Sequence, residues 1–196
     1  MSLYHAEISA GSLMPAESRK VAQLLLTQPT PAQWDAAIQD ENILQKSAAT
    51  ARRQAHLIRK RLETLDAKGW EWVAYGDTEL CVQTLLAAAI RHSRLLGDFL
   101  CDVYAQHLRQ LERHLSRHSW DAFLADCEKK DPTVAGWADS TRSKLFEVIV
   151  RILTEAKYLD SSRTRTLTPP LLHPQVSHYL LTLGDRKTLR WMDYHA

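Results

Sequence analysis

Five basic side chains share one side of a short segment. From Thr50 to Leu65 the chain reads TARRQAHLIRKRLETL. At the helical period of about 100° per residue, Ala51, Ala55, Ile58, Leu62 and Leu65 form an apolar stripe. Arg52, Arg53, His56, Arg59 and Lys60 fall in an arc on the far side. Arginine and lysine bring positive charge, and arginine adds a planar fork that fits phosphate or a guanine edge. A helix N-terminus at Thr50 would add partial positive charge and free backbone N–H groups. The chemistry expected of this pattern is recognition of an anion, with a nucleic-acid backbone as the first candidate.

The charge is local. Residues 46–68 hold seven Lys or Arg (Lys46, Arg52, Arg53, Arg59, Lys60, Arg61, Lys68) against Glu63 and Asp66, in a 196-residue chain of formal net charge +2. No acid stands between Glu41 and Glu63. Solvated helix faces usually mix signs, so a basic arc on a nearly neutral chain points to a polyanion site rather than to general stickiness. Lys46 and Thr50 extend the candidate set toward the helix start. A weaker set follows later. Arg142 and Lys144 open another amphipathic helix, where Glu147 and Glu155 dilute the charge and favour a structural role. Arg163 and Arg165 in RTRTLT could touch a backbone as a wing does.

Other chemistry finds little support. His114 and His118 are four apart, but no third ligand has metal-site spacing and no HExxH occurs, so no metal is expected. Arg91-His92-Ser93-Arg94 with Asp98 and Asp102 reads as packing polarity. No Gly-rich phosphate loop, Walker lysine or kinase signature is present, so neither catalytic residue nor cofactor is expected. The six tryptophans lie mostly off the basic arc and are expected to pack. Cys81, Cys101 and Cys127 are scattered and odd in number, which suits free thiols in a reducing compartment. No signal peptide and no span long enough for a bilayer is visible, so a soluble, cytoplasmic protein without a membrane partner is expected.

Helix signals dominate the positioning elements. Pro15 starts a helix to about Thr27, and Thr30 with Pro31 starts a short one to about Asp40. The basic helix follows. WEWVAY, closed by Gly76-Asp77, reads as a strand. Long apolar helices are expected from Glu79 to Ser93 and from Leu95 to Leu115, and the pattern is compatible with one continuous helix. Ser119 should cap a helix to Lys130, and Ser140 or Thr141 one to Tyr158. Helices near 174–183 and 185–194 complete the chain. Trp34-Asp35-Ala36 and Trp120-Asp121-Ala122 each precede a connector and a long helix. This repeat predicts a mainly α fold: two helix-turn-helix or winged-helix-like units around a central pair of long helices, with short β wings. The expected divisions are 1–76, 77–118 and 119–196.

Three segments resemble the BrxA family of BREX (bacteriophage exclusion) systems: ISAGSLMPAESRKVAQLLL, NILQKSAATARRQAHLIRKRL and AAIRHSRLLGDFL. Their order and spacing match as well as their composition. The resemblance covers nearly the whole chain and is strongest from Ile8 to Leu100. It implies an antiphage role beside other BREX components, including a methyltransferase and an ATPase, for a non-enzymatic accessory protein that binds double-stranded DNA. It carries no catalytic motif. Two other uses of the basic face stay open: an adaptor docking on an acidic surface of a larger BREX component, and RNA binding.

Overall fold

Prolines and hydroxyl side chains set the first helices. The computed structural model describes residues 2–194. Helix α1 (Pro15–Leu26) starts at a proline, whose missing N–H costs nothing in a first turn. Thr30 caps α2 (Pro31–Asp35) through a reciprocal box: its hydroxyl accepts from Gln33 N, and the Gln33 side chain accepts from Thr30 N at 2.8 Å. A single π turn, Ala36–Asp40, continues this helix. Asn42 then adopts a left-handed conformation and brackets Lys46 with two hydrogen bonds, shaping the connector. Helix α3 (Ala48–Leu62) begins two residues before Thr50 because Ser47 takes the extended N-cap conformation.

The segment WEWVAY is not a strand. It forms most of α4 (Ala67–Tyr75). Asp66 caps it by accepting from Gly69 N at 3.1 Å, and Trp70 Nε1 donates to Leu62 O at 2.7 Å. Gly69, Val73 and Ala74 are buried at helical spacing, and this face packs on α1. Tertiary packing therefore overrides the local strand preference of Trp, Val and Tyr. Arg19 of α1 donates to the carbonyls of Val73, Ala74, Gly76 and Asp77, closing the end of α4. Helix α5 (Thr78–His92) is buried without a break from Leu80 to Ile90. It packs against α1, α3 and α4, which explains why its sequence is apolar all round. These elements form one compact unit, Leu13–His92.

The other compact unit comprises residues 2–12 and 93–194. Its divisions therefore differ from those read at 76/77 and 118/119. Ser93 caps α6 (Arg94–Phe99), so α6 does not continue α5. A π turn, Leu100–Tyr104, leads into α7 (Ala105–Arg109). Helix α8 (Arg117–Lys130) starts earlier than expected because Ser116, not Ser119, is its cap; Ser116 Oγ accepts from Ser119 N. Helices α9 (Asp139–Glu155), α10 (Pro174–Thr182) and α11 (Arg186–Met192) follow. The N-terminal segment is tied in by Asp131, which accepts from Leu3 N and Tyr4 N at 2.7 and 2.9 Å. Hydrogen bonds from Thr133 and the Tyr4 backbone hold the Asp131 carboxyl far below the usual carboxylate range.

Two aromatic clusters centre this unit. Phe99, Trp120, Phe123 and Phe146 pack with ring centroids 5.3–5.8 Å apart. Tyr104, Tyr158 and Tyr194 form the second cluster, each hydroxyl donating to a backbone carbonyl.

No β-strand occurs among the described residues, and the architecture is mainly α. The expected wings are therefore not strands. The first lies within α4. The second, RTRTLT, makes only isolated antiparallel bridges, His114–Thr166 and Leu159–Leu167. Arg165 has φ 53°, which breaks any extended run at that point. No helix among the described residues is long and apolar enough to cross a membrane.

Candidate nucleic-acid interface

Helix α3 is positioned by its apolar stripe. Ala51, Ala55, Ile58 and Leu62 are all buried, and so is Leu65 just beyond the helix. Arg52, Arg53 and His56 are exposed, and Arg59 and Lys60 are half-buried. The arc read from the sequence thus faces outward as a set. Arg61 does not belong to it. Next to Leu57 and Ile58 on the helical net, it is only 2% exposed. The charge count for this segment therefore overstates what its surface offers.

The arc borders a cleft of about 480 Å³ lined by Trp34, Asp35, Ile38, Gln39, Arg52, His56, Arg59, Lys60 and Glu63. The π turn after α2 supplies one wall. Arg52 donates to Gln39 Oε1. Arg59 donates to Glu63 Oε1 at 2.7 Å, and its guanidinium lies 4.6 Å from the Trp34 ring centroid. Arg53 and His56 have no side-chain partner among the described residues. The cleft has a basic wall, an aromatic edge and two carboxylates. It can hold an anionic group through guanidinium forks and an ammonium, provided that Glu63 yields Arg59. Trp34 is the residue the sequence reading missed. It stands 25 positions from Arg59, and only the packing of α2 beside α3 joins them.

The remaining candidates are placed differently. Lys46 pairs with Glu17 at 3.0 Å. Burial raises the Glu17 carboxyl, but the hydrogen bond from Lys46 and its charge outweigh this, leaving it below its ordinary value. Thr50 is half-buried and shares a 2.9 Å hydrogen bond with Ser47. Arg142 is a structural tie: it donates to the carbonyls of Trp137, Val134 and Ala135 and pairs with Glu128 at 2.6 Å. Lys144 is exposed beside Glu147, 3.6 Å away. Arg163 is exposed, whereas Arg165 lies over the Phe146 ring. The two WDA segments also diverge. Trp34 is half-buried at the cleft, while Trp120 is fully buried in the aromatic core.

Arg94 pairs with Asp98 at 3.2 Å, and Tyr4 donates to the same Asp98 oxygen at 2.8 Å. Asp102 pairs with Lys130. The first pair lies within α6, Tyr4 ties the N-terminal segment to that helix through Asp98, and Asp102–Lys130 joins the π turn to α8. Among the described residues no group of three or more metal-ligating side chains converges.

Known proteins resemble the chain over nearly its full length. The family model for BrxA matches residues 2–184. The chain is 42% identical to the BREX protein BrxA of Paramagnetospirillum magneticum, covering 95% of this chain and 94% of that protein. It is 37% identical to the BREX protein BrxA of Escherichia coli O9:H4, covering 92% and 85%. A crystal structure of an uncharacterized protein from Magnetospirillum magneticum superposes with a TM-score of 0.90 at 40% identity, covering 97% of this chain and 98% of that one. The family match, the identities and the shared fold agree: the chain belongs to the BrxA family.

Proposed function

We propose that this BrxA protein is a non-enzymatic accessory component of a BREX antiphage system, working in the cytoplasm beside other BREX components and binding double-stranded DNA through α3. The observation that carries this reading is the outward arc of Arg52, Arg53, His56, Arg59 and Lys60 on a helix whose opposite face is buried. The order of short helix, connector and long helix in α2–α3 suits a helix-turn-helix-like presentation of that arc to a groove. Four permanent cations on phosphates would make log K fall with log salt at a slope of about −3.6. Salt-titrated binding to duplex DNA, single-stranded DNA and RNA tests the proposal. Duplex preference with that slope supports it, and a flat salt dependence refutes it. In an Arg52→Glu/Arg59→Glu variant, binding should disappear while the fold is kept.

A second reading has one observation behind it. Half-buried Trp34 against Arg59 has the composition of a protein-interface hot spot. An adaptor docking on an acidic BREX component would use the same cleft. Its co-purification with that component would survive nuclease treatment, whereas DNA bridging would not.

A further inference from the structure

Helix α7 ends on a leucine in a glycine position. Glu112 N donates to His107 O at 2.9 Å and Leu111 N to Leu108 O at 3.2 Å, the double pattern that closes a helix through a left-handed residue. That residue is Leu111, with φ 58°. The end of α10 uses the same pattern with Gly184 in this place, at φ 70°. A left-handed leucine is strained. It is also 87% exposed, so no burial within the chain offsets the strain.

The surroundings of Leu111 are basic. Residues 109–118 and 157–165 together carry Arg109, Arg113, Arg117, Lys157, Arg163 and Arg165 against only Glu112 and Asp160. Backbone bonds join the first segment to the end of the second and the residues just after it: Leu115 N to Arg165 O at 3.0 Å and Leu167 N to Arg113 O at 2.9 Å. Both acids are exposed but engaged by neighbouring groups. Glu112 reaches His107 at 3.0 Å, and Asp160 accepts from Thr164 Oγ1 and from the backbone of Ser161 and Thr166. Arg109, Arg113 and Arg163 are exposed and have no carboxylate partner among the described residues.

We infer that the α7–α8 loop is a second nucleic-acid contact, with Leu111 seated in a DNA minor groove and Arg109, Arg113 and Arg163 on the flanking phosphates. An apolar wedge flanked by arginines is the side-chain set that enters a minor groove, where it unstacks a base step. This contact goes beyond the α3 reading. It shares duplex DNA as partner but lies in the other unit and uses none of the α3 residues.

Leu111→Gly separates function from stability. The substitution relieves the strained backbone, so the melting temperature should rise by about 3–6 °C. Affinity for a 30-base-pair duplex should fall by about fivefold or more as the wedge is lost. In Arg113→Gln/Arg163→Gln, the magnitude of the salt slope should drop by about 1.8. Wild-type affinity and slope in both variants would overturn the inference, and would leave the α3 reading standing if Arg52→Glu/Arg59→Glu lost binding. Loss in the loop variants with full binding in the α3 variant would support the inference and refute the α3 reading. A wild-type protein that does not bind duplex DNA overturns both.

Discussion

Gly97→Ala tests the packing that holds α11 in its unit. A Cβ at position 97 would stand 2.3, 2.5 and 2.8 Å from Cζ3, Cε3 and Cη2 of Trp191. Carbon atoms pack at about 3.5–4.0 Å, so the ring would have to move by about 1.2 Å. The ring is buried, with Trp191 only 8% exposed, and Lys187 lies over it at 4.5 Å. Overpacking of this kind costs about 1–3 kcal/mol, and three clashing atoms place it near the top of that range. Alanine recovers about 1 kcal/mol of helix propensity relative to glycine. The net loss is then about 2 kcal/mol, or about 6–10 °C in melting temperature for a unit of this size. Differential scanning calorimetry of wild type, Gly97→Ala, Trp191→Leu and the double variant measures it. The double variant should be less destabilised than the sum of the two singles, because the smaller side chain leaves room for the methyl group. An unchanged or raised melting temperature in Gly97→Ala would mean that helix propensity alone is acting, and would refute the close approach of the ring.

Two further predictions concern stability. Arg19→Met should destabilise the unit containing α1 and α4 by about 1.5–3 kcal/mol in urea unfolding, because four carbonyls at the end of α4 lose a charged donor. Unfolding should also ease at high pH. Burial pushes the Cys127 thiol up to about 12 and raises Tyr4, Tyr104, Tyr158 and Tyr194 above their ordinary values. Raised folded-state values mean that the unfolded chain loses these protons first. Their contribution is therefore intact below the ordinary thiol and phenol values, near 9 and 10, and is lost as pH rises above them. Each group steepens the loss by up to about 1.4 kcal/mol per pH unit. Denaturant midpoints from pH 8 to 11 should fall progressively in wild type and more gently in Cys127→Ala, whereas a flat profile would contradict the buried, protonated assignment.

The sequence by itself determined the helical character, most helix starts and the two faces of α3. Those depend on signals a few residues apart: Pro15, the Thr30–Gln33 box, and the Ala51–Ala55–Ile58–Leu62 spacing. The family was legible too, because three ordered segments carry it. Tertiary structure decided what local signals leave open. WEWVAY has strand-forming side chains, yet α1 and the Asp66 cap make it a helix. Arg61 and Arg142 look like Arg53 in sequence, yet one is buried and another is tied to Glu128. Trp34 meets Arg59, and the 109–118 loop meets 163–167, only because helices separated in the chain pack together. A charge pattern records which residues can bind an anion. Whether each stays free to do so depends on partners supplied from elsewhere in the chain, and those are set only when the fold closes.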